Sequence, residues 1–497
     1  MDLILFAIAS IVFAWIINRW NSRAFVRLAY KVPSNRLHTF LGWGKLLTKE
    51  DILSHMYEYG NKYGPNSVFW VGPFPFFLSS DPQILKDILT SKNCIDKPPL
   101  IYKGFFVTVG DGLINENEPH WHHHRKILNK AFSHKNLSSF VPLFNKEINS
   151  LIQQIQKSLE KAEDVDTFLI FRSLTINMAT KTVLKRDLDQ TDMDSIVMSK
   201  NAQGVMEILA ENCFNTIMSI SWIRKLAEIS VYKTKMQGLN IFKRLINESV
   251  DILEKNRTTD PSHLPEVNSA LEYALNGVHQ NSLAGSEILP HMLHLFAASF
   301  ETTSSTLFLV VTMLAMHPEY QQYAYEEVIN ILPDDDNTDI TLEQVDQLMY
   351  LEMVLNETLR VCPVVPMVFR KVSNEDLTLS NGLTLPVGQI ISIDLFSLHR
   401  RKDIWGTKAD DFNPDNFLPS NVNARHPFSF IPFTKGQRFC IGWRYALIFV
   451  KISLAKLIKT YKFSTDFKYK DLKFENHISL KLVEDPQVHM EQRKAGV

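Results

Sequence analysis

The sequence predicts a mainly α fold with minor β, built as a single large domain, and three observations carry that expectation. Hydrophobic positions recur at helical spacing from about residue 116 to residue 328. Strand-like runs are short and sit beside Gly, Pro and Asn turn signals near both ends of that helical stretch. No Pro/Gly/Ser-rich or charge-dense linker divides the 497 residues, so a length compatible with two or three domains is read as one. At 45% hydrophobic residues, 32 of them Phe, the chain has ample material for an extensive core.

Taken in order, residues 3–17 form an unbroken apolar or small-residue run with Asp2 before it and Arg19, Arg23, Arg27 and Lys31 after it. A cleaved signal peptide would carry its basic residues on the other side. Positive charge after the run places the rest of the chain on the cytosolic face. The run is short for the ~20 residues of a full span, with Trp20 suited to the interface. We therefore expect a signal anchor at 1–20, a basic connector at 21–34 and one main domain at 35–497. Residues 68–70 and 76–78 read as strands around Gly72 and Pro73, and Asp81 with Pro82 reads as the N-cap and first residue of a helix. Helices follow, interrupted by a polar stretch at 256–285 expected to hold loops and one short helix. The acidic run 334–336 reads as a solvated loop. Residues 377–379 and 383–385 flank Asn381-Gly382, a hairpin signal, and 389–394 adds another strand.

Charge excludes one function class. Lys and Arg total 53 against 54 Asp and Glu, which leaves no electrostatic footprint for a nucleic acid. The four cysteines, Cys94, Cys213, Cys362 and Cys440, are too few and scattered for a disulfide framework or a zinc site, and fit a reducing compartment.

Cys440 is the exception to that bland reading. Residues 433–442 follow the pattern F-x-x-G-x-R-x-C-x-G through Phe433, Gly436, Arg438, Cys440 and Gly442. This pattern resembles the haem-thiolate loop of the cytochrome P-450 superfamily. The resemblance implies that Cys440 is the axial thiolate of a haem b iron, and each neighbour has a physical reason to be there. Gly436 permits a turn that a Cβ would resist. Gly442 lets the following helix lie close, with its first amide N–H groups aimed at the sulfur. Phe433 shields the sulfur from water. Arg438 suits a haem propionate with its planar fork. Lys435 and Gln437 stand where relatives usually carry a small residue and a proline.

Three further strings fit the same resemblance. Residues 297–303 resemble the distal helix motif A-G-x-D/E-T-T, which implies that Thr302 and Glu301 manage proton delivery during oxygen activation. A side-by-side acid and hydroxyl in an apolar helix need partners or a task. Ser299 replaces the usual glycine, which would narrow the oxygen groove or alter the helix, and Ala298 leaves no glutamate to esterify a haem. Glu357 and Arg360 form E-x-x-R, one face of a helix, with Asn416 as the third partner in a structural lock. Trp121 and Arg125 match W-x-x-x-R and, with Arg370, would join Arg438 around two propionates. The intervening His122, His123 and His124 cannot all close on one ion from consecutive helical positions, and are read as solvated. Substrate contacts are expected from Phe105, Phe106, Phe300 and the segment 364–368.

The resemblance implies a membrane-anchored monooxygenase of the endoplasmic reticulum. It would insert one oxygen atom of O2 into a lipophilic small molecule, with electrons from an NADPH-dependent flavoprotein reductase. Residues 412–419 and 425–433 look most like the branch containing microsomal fatty-acid hydroxylases and many insect enzymes. Two alternatives stay open: a haem-thiolate isomerase or dehydratase, and a non-catalytic haem protein that binds a ligand. Retention of Glu301 and Thr302 counts against the first; the Ser299 substitution is the one hint of the second.

Overall fold

The computed structural model describes residues 23–34, 52–71, 74–188, 195–214, 233–259, 267–332 and 338–493. The expected anchor at 1–20, the Gly72-Pro73 turn and the acidic loop at 334–336 lie outside the described residues. What is described is mainly helical with small sheets, one domain, as the sequence predicts.

The connector is part of that domain's packing. Its helix α1 (Arg23–Lys31) buries Leu28 and Ala29, and with Val32 these join the apolar cluster of Val68, Trp70 and Phe77 on the sheet. The Val68 N–H then donates to the Pro33 carbonyl at 3.2 Å, fixing where the connector meets the sheet.

The sheet has strands β1 (Asn66–Val71), β2 (Phe74–Ser79), β3 (Met367–Lys371) and β4 (Ile390–Asp394), in the order β1-β2-β4-β3. β1 and β2 pair antiparallel, Asn66 opposite Ser79, whereas β2 runs parallel to β4 across more than 300 residues of intervening chain. β3, which carries Arg370, pairs antiparallel with β4 and was not evident from the sequence pattern. Asp81 caps the next helix as expected, its Oδ1 accepting from the Gln83 and Ile84 amides at 2.9 and 3.3 Å. The 377–385 hairpin forms with Gly382 at φ +81°, a conformation that glycine adopts without strain.

Helices make up the other half of the architecture. Helix α2 (His120–Leu128) and helix α3 (Thr167–Val183) precede the longest, α4 (Gly285–Met316); α5 (Met349–Val361) and α6 (Trp443–Thr460) follow it. Among the described residues α4 is the helix long and apolar enough to cross a membrane, but it is the core helix: α3 packs along it and α5 and α6 touch it. Its residues 307–314 are apolar or hydroxyl-bearing and entirely buried, as expected for a helix surrounded by others. A fully buried helix end to end would carry no site, so the informative break is at 297–299, where Ala297, Ala298 and Ser299 are not buried. There α4 borders a cavity.

Candidate functional site

A cavity of about 310 Å³ lies between α4 and the loop before α6. Cys440, Phe433, Arg438 and Gly442 from the cysteine loop line it, as do Ala298, Ser299, Thr302 and Thr303 from α4. The rest is largely apolar, with Leu295, Val364, Val365 and Val368 among its lining.

The cysteine loop is folded by its own backbone. The Cys440 N–H donates to the Phe433 carbonyl at 3.0 Å, and Gly436 takes φ +77°. A Cβ on Gly436 would stand 1.8 Å from the Leu89 carbonyl oxygen, so any other residue collides with backbone. Burial pushes the Cys440 thiol up, opposed by the Gly442 amide and by the Arg125 charge. Those two opposing groups are the ones that would stabilise a thiolate. By contrast Cys94, Cys213 and Cys362 are buried free thiols, each pushed up to about 12 mainly by burial, and are chemically inert. Lys435 does not project outward: its Nζ donates to the Pro427 carbonyl at 2.6 Å and lies over the Phe428 ring.

Cations gather at the cavity's edge. Arg125 donates to the Phe439 carbonyl at 3.0 Å, and burial brings its pKa down to about 10. Arg438 stacks on Trp121 at 4.0 Å and donates to the carbonyls of Ile95 and Glu116. Burial and then Arg370 bring it down to about 9, with Asp96 and Glu118 opposing. Arg370 is 2% exposed and donates to the Phe369 carbonyl; it does not line the cavity but stands close to Lys97 and Arg438. Lys97, a cavity residue missed from the sequence, is buried, donates to Tyr102 Oη at 3.0 Å, and is held well below the usual lysine range by burial, Arg370 and Arg438.

None of these four cations forms an ion pair with a carboxylate among the described residues. Three buried cations and the half-buried Arg438, with Arg370 lowering both Lys97 and Arg438, call for anions from elsewhere, because uncompensated buried charge is costly. A dianionic ring ligated by Cys440 fits that demand: Cys440 would hold its iron and Trp121, Arg125, Arg438 and Lys97 its acidic edge, with Arg370 adding charge behind them. Only Lys97's burial beside these groups reveals it, since Lys97-Pro98-Pro99 carries no motif.

The distal pair divides. Thr302 lines the cavity, its hydroxyl donating to the Ala298 carbonyl at 2.8 Å. Glu301 turns away and is buried: Ser479 Oγ donates to its Oε1 at 3.0 Å, Lys481 pairs with the same oxygen, and Arg172 Nε lies 3.8 Å from Oε2. Burial would raise this carboxyl, but Lys481 and Arg172 outweigh it and hold it below the usual range. Ser299 Oγ donates to the Phe296 carbonyl at 2.9 Å, and α4 continues through it without a break. His294, also unpredicted, lines the cavity; its Nδ1 accepts from the Ile114 amide, its Nε2 has no partner, and burial brings it down to about 4.

Glu357 and Arg360 meet in a two-pronged pair at 2.7 Å for both bonds, each 0% exposed. Arg360 also donates to the carbonyls of His399, Ala409 and Asp411, and the amides of Asn413 and Asn416 donate to Glu357 at 2.7 and 3.1 Å. The three-residue arrangement expected from E-x-x-R and Asn416 is thus present as geometry.

Two expectations change, the phenylalanines as substrate contacts and the histidines as solvated. Val364, Val365 and Val368 line the cavity, but Phe300 packs on Phe242 and Phe296, Phe105 packs on Tyr102 and His294, and Phe106 is exposed in a separate cleft. Aromatic content alone cannot tell core from pocket. Among the three histidines, His122 and His123 are exposed, whereas His124 is 3% exposed and bonded to Glu116, because it faces inward one residue before Arg125.

A helical fold closed on a largely apolar cavity, with a thiol, a hydroxyl and unpaired cations in its lining, has the architecture of a haem-thiolate protein. The sequence model of the Cytochrome P450 family matches residues 32–489, and the chain belongs to that family. It is 36% identical to a probable cytochrome P450 313a4 of Drosophila melanogaster over 96% of this chain and 97% of that protein. It is 33% identical to a probable cytochrome P450 313a2 of the same fly over 99% and 100%. Cytochrome P450 4c21 of Blattella germanica is 28% identical over 86% of each. Membership makes the chain a haem-dependent monooxygenase oxidoreductase.

Proposed function

We propose that this chain oxidises a lipophilic small molecule, such as a fatty acid, steroid or foreign compound, by inserting one oxygen atom of O2. Electrons come from an NADPH-dependent flavoprotein reductase, and residues 1–20 anchor the chain in the endoplasmic reticulum membrane with its catalytic domain in the cytosol. The observation that supports this reading is one largely apolar cavity lined by both Cys440 and Thr302, with Lys97, Arg125 and Arg438 also in its lining. When bound, the haem would supply oxygen activation, and Cys440 would hold its iron. Around it, Leu295, Val364, Val365 and Val368 exclude water and orient an apolar substrate. The Thr302 hydroxyl, whose own proton goes to the Ala298 carbonyl, would offer its oxygen to a proton donor in the cavity. Glu301, ionised and paired with Lys481 on the far side of α4, supports proton entry from solvent rather than touching the substrate.

The test is reconstitution of the full-length haem-loaded protein with a flavoprotein reductase and NADPH, followed by mass spectrometry over a library of lipophiles. A product heavier by one oxygen is expected; a correctly loaded protein that turns over no library member sinks the reading. Cys440→Ser should abolish the thiolate-type Soret shift of the reduced CO complex, and a persistent shift would refute the ligand assignment.

A further inference from the structure

Away from the haem cavity, we infer that Glu116, His124 and His291 form a binding site for a divalent transition ion of the zinc type, clamping the loop before α2 to the start of α4. The three side chains come from separate segments: Glu116 from the loop after Gly112, His124 from α2 and His291 from α4. All are buried, His291 completely.

Their ligand atoms converge on one point. His124 Nδ1 lies 3.0 Å from both oxygens of Glu116 and 3.1 Å from His291 Nε2, and His291 Nε2 lies 3.4 Å from Glu116 Oε1. Zinc–ligand bonds of about 2.0–2.1 Å in a tetrahedron place ligand atoms about 3.4 Å apart. The observed triangle is one slightly contracted face of that tetrahedron. Without an ion the three groups are poorly matched, because a neutral imidazole carries one proton and two ring nitrogens here compete for one carboxylate edge. A divalent cation in front of the triangle accepts lone pairs from all three.

The surroundings fit a cation. His124 Nε2 lies 3.6 Å from Glu287 Oε2, beyond hydrogen-bond distance, so this second carboxylate adds negative charge beside the triangle. Glu116 also lines a solvent cleft of about 520 Å³ with Asp111, Glu118 and Glu287, four acids against Lys97 and Lys103, which gives a hydrated cation a route in. The scaffold is rigid at this point: a Cβ on Gly112 would come within 3.0 Å of His294, so the loop is already pressed onto α4. Two imidazoles and one carboxylate suit zinc far better than magnesium or calcium, which prefer all-oxygen shells.

The experiment uses the untagged, full-length, haem-loaded protein, stripped with EDTA, incubated with Zn2+ and desalted before elemental analysis. About one zinc per chain is expected beyond the haem iron. The Glu116→Gln/His291→Leu double variant should bind at least tenfold less zinc, while His122→Ala, on the opposite face of α2 from His124 and exposed, should keep it. Zinc at background level in the unaltered protein, or a full load in the double variant, overturns the site. Zinc-edge X-ray absorption of the unaltered protein decides even if the double variant does not fold: imidazole and oxygen scatterers at about 2.0–2.1 Å support the site, whereas sulfur at about 2.3 Å places the ion on a cysteine and refutes it.

Discussion

Gly436 shows how a single residue's geometry reaches the haem. Its φ of +77° lies in the left-handed region, which costs an ordinary L-residue about 1–2 kcal/mol, and its missing Cβ is what lets the Leu89 carbonyl approach. Gly436→Ala therefore strains the turn and displaces that carbonyl. The expected result is a loss of roughly 2 kcal/mol or more in urea unfolding, together with a lower haem content per chain. Gly442 gives the contrast: its φ is −96° and a Cβ would meet Phe132 at 3.7 Å, ordinary contact, so Gly442→Ala should cost the polypeptide itself about 1 kcal/mol or less. Equal effects of the two substitutions would contradict this account. Gly436 was legible in the sequence because its positive-φ turn is local, whereas its contact with the Leu89 carbonyl was not, and the close approach expected at Gly442 is absent around it. Lys97 and His294 were not legible, because their importance arises only where the loop before α2 meets α4 and β3, and no local pattern encodes that meeting.

At the scale of elements, α5 is joined to residues 399–416 through one buried ion pair rather than through apolar packing alone. Arg360 spends its donors on Glu357 and on three carbonyls of residues 399–411, and Glu357 accepts from two amides of residues 413–416. Glu357→Ala leaves a buried guanidinium without its counter-charge, and should destabilise the protein by about 3–5 kcal/mol. A Glu357→Leu/Arg360→Met double variant, which buries no lone charge, should be less damaging than the single Ala change. Additive losses in the double variant, read by denaturant titration, would show that the pair is not coupled. E-x-x-R alone could not carry this conclusion, since such spacing is common on exposed helices; its fit with Asn416 made the lock readable. Glu301 was half readable in the same way. Its place in α4 was plain, but its partners Ser479 and Lys481 sit on a hairpin some 180 residues later, and nothing near Glu301 announces them.

For the molecule as a whole, the same burial that makes the site apolar makes its fold sensitive to acid. His399 is fully buried between the ion-pair lock and the segment leading to the cysteine loop: its carbonyl accepts from Arg360, and its Nε2 accepts from the Ile431 amide at 3.2 Å. Burial, then Arg360 and Arg400, bring its pKa from 6.5 down to about 3. His294 moves the same way, to about 4, through burial. An imidazole whose folded pKa is depressed binds its proton in the unfolded chain first. Its stabilising contribution is therefore complete above pH 6.5 and is lost as pH falls toward the folded value, at up to about 1.4 kcal/mol per pH unit for each such histidine. Unfolding free energy should fall steeply between about pH 6 and pH 4 in urea titrations. His399→Gln keeps an acceptor for Ile431 but cannot take up a proton, so its slope in that window should be shallower by up to about 1.4 kcal/mol per pH unit. An unchanged slope would mean that acid sensitivity arises elsewhere and that His399 is already accessible to protons in the folded chain.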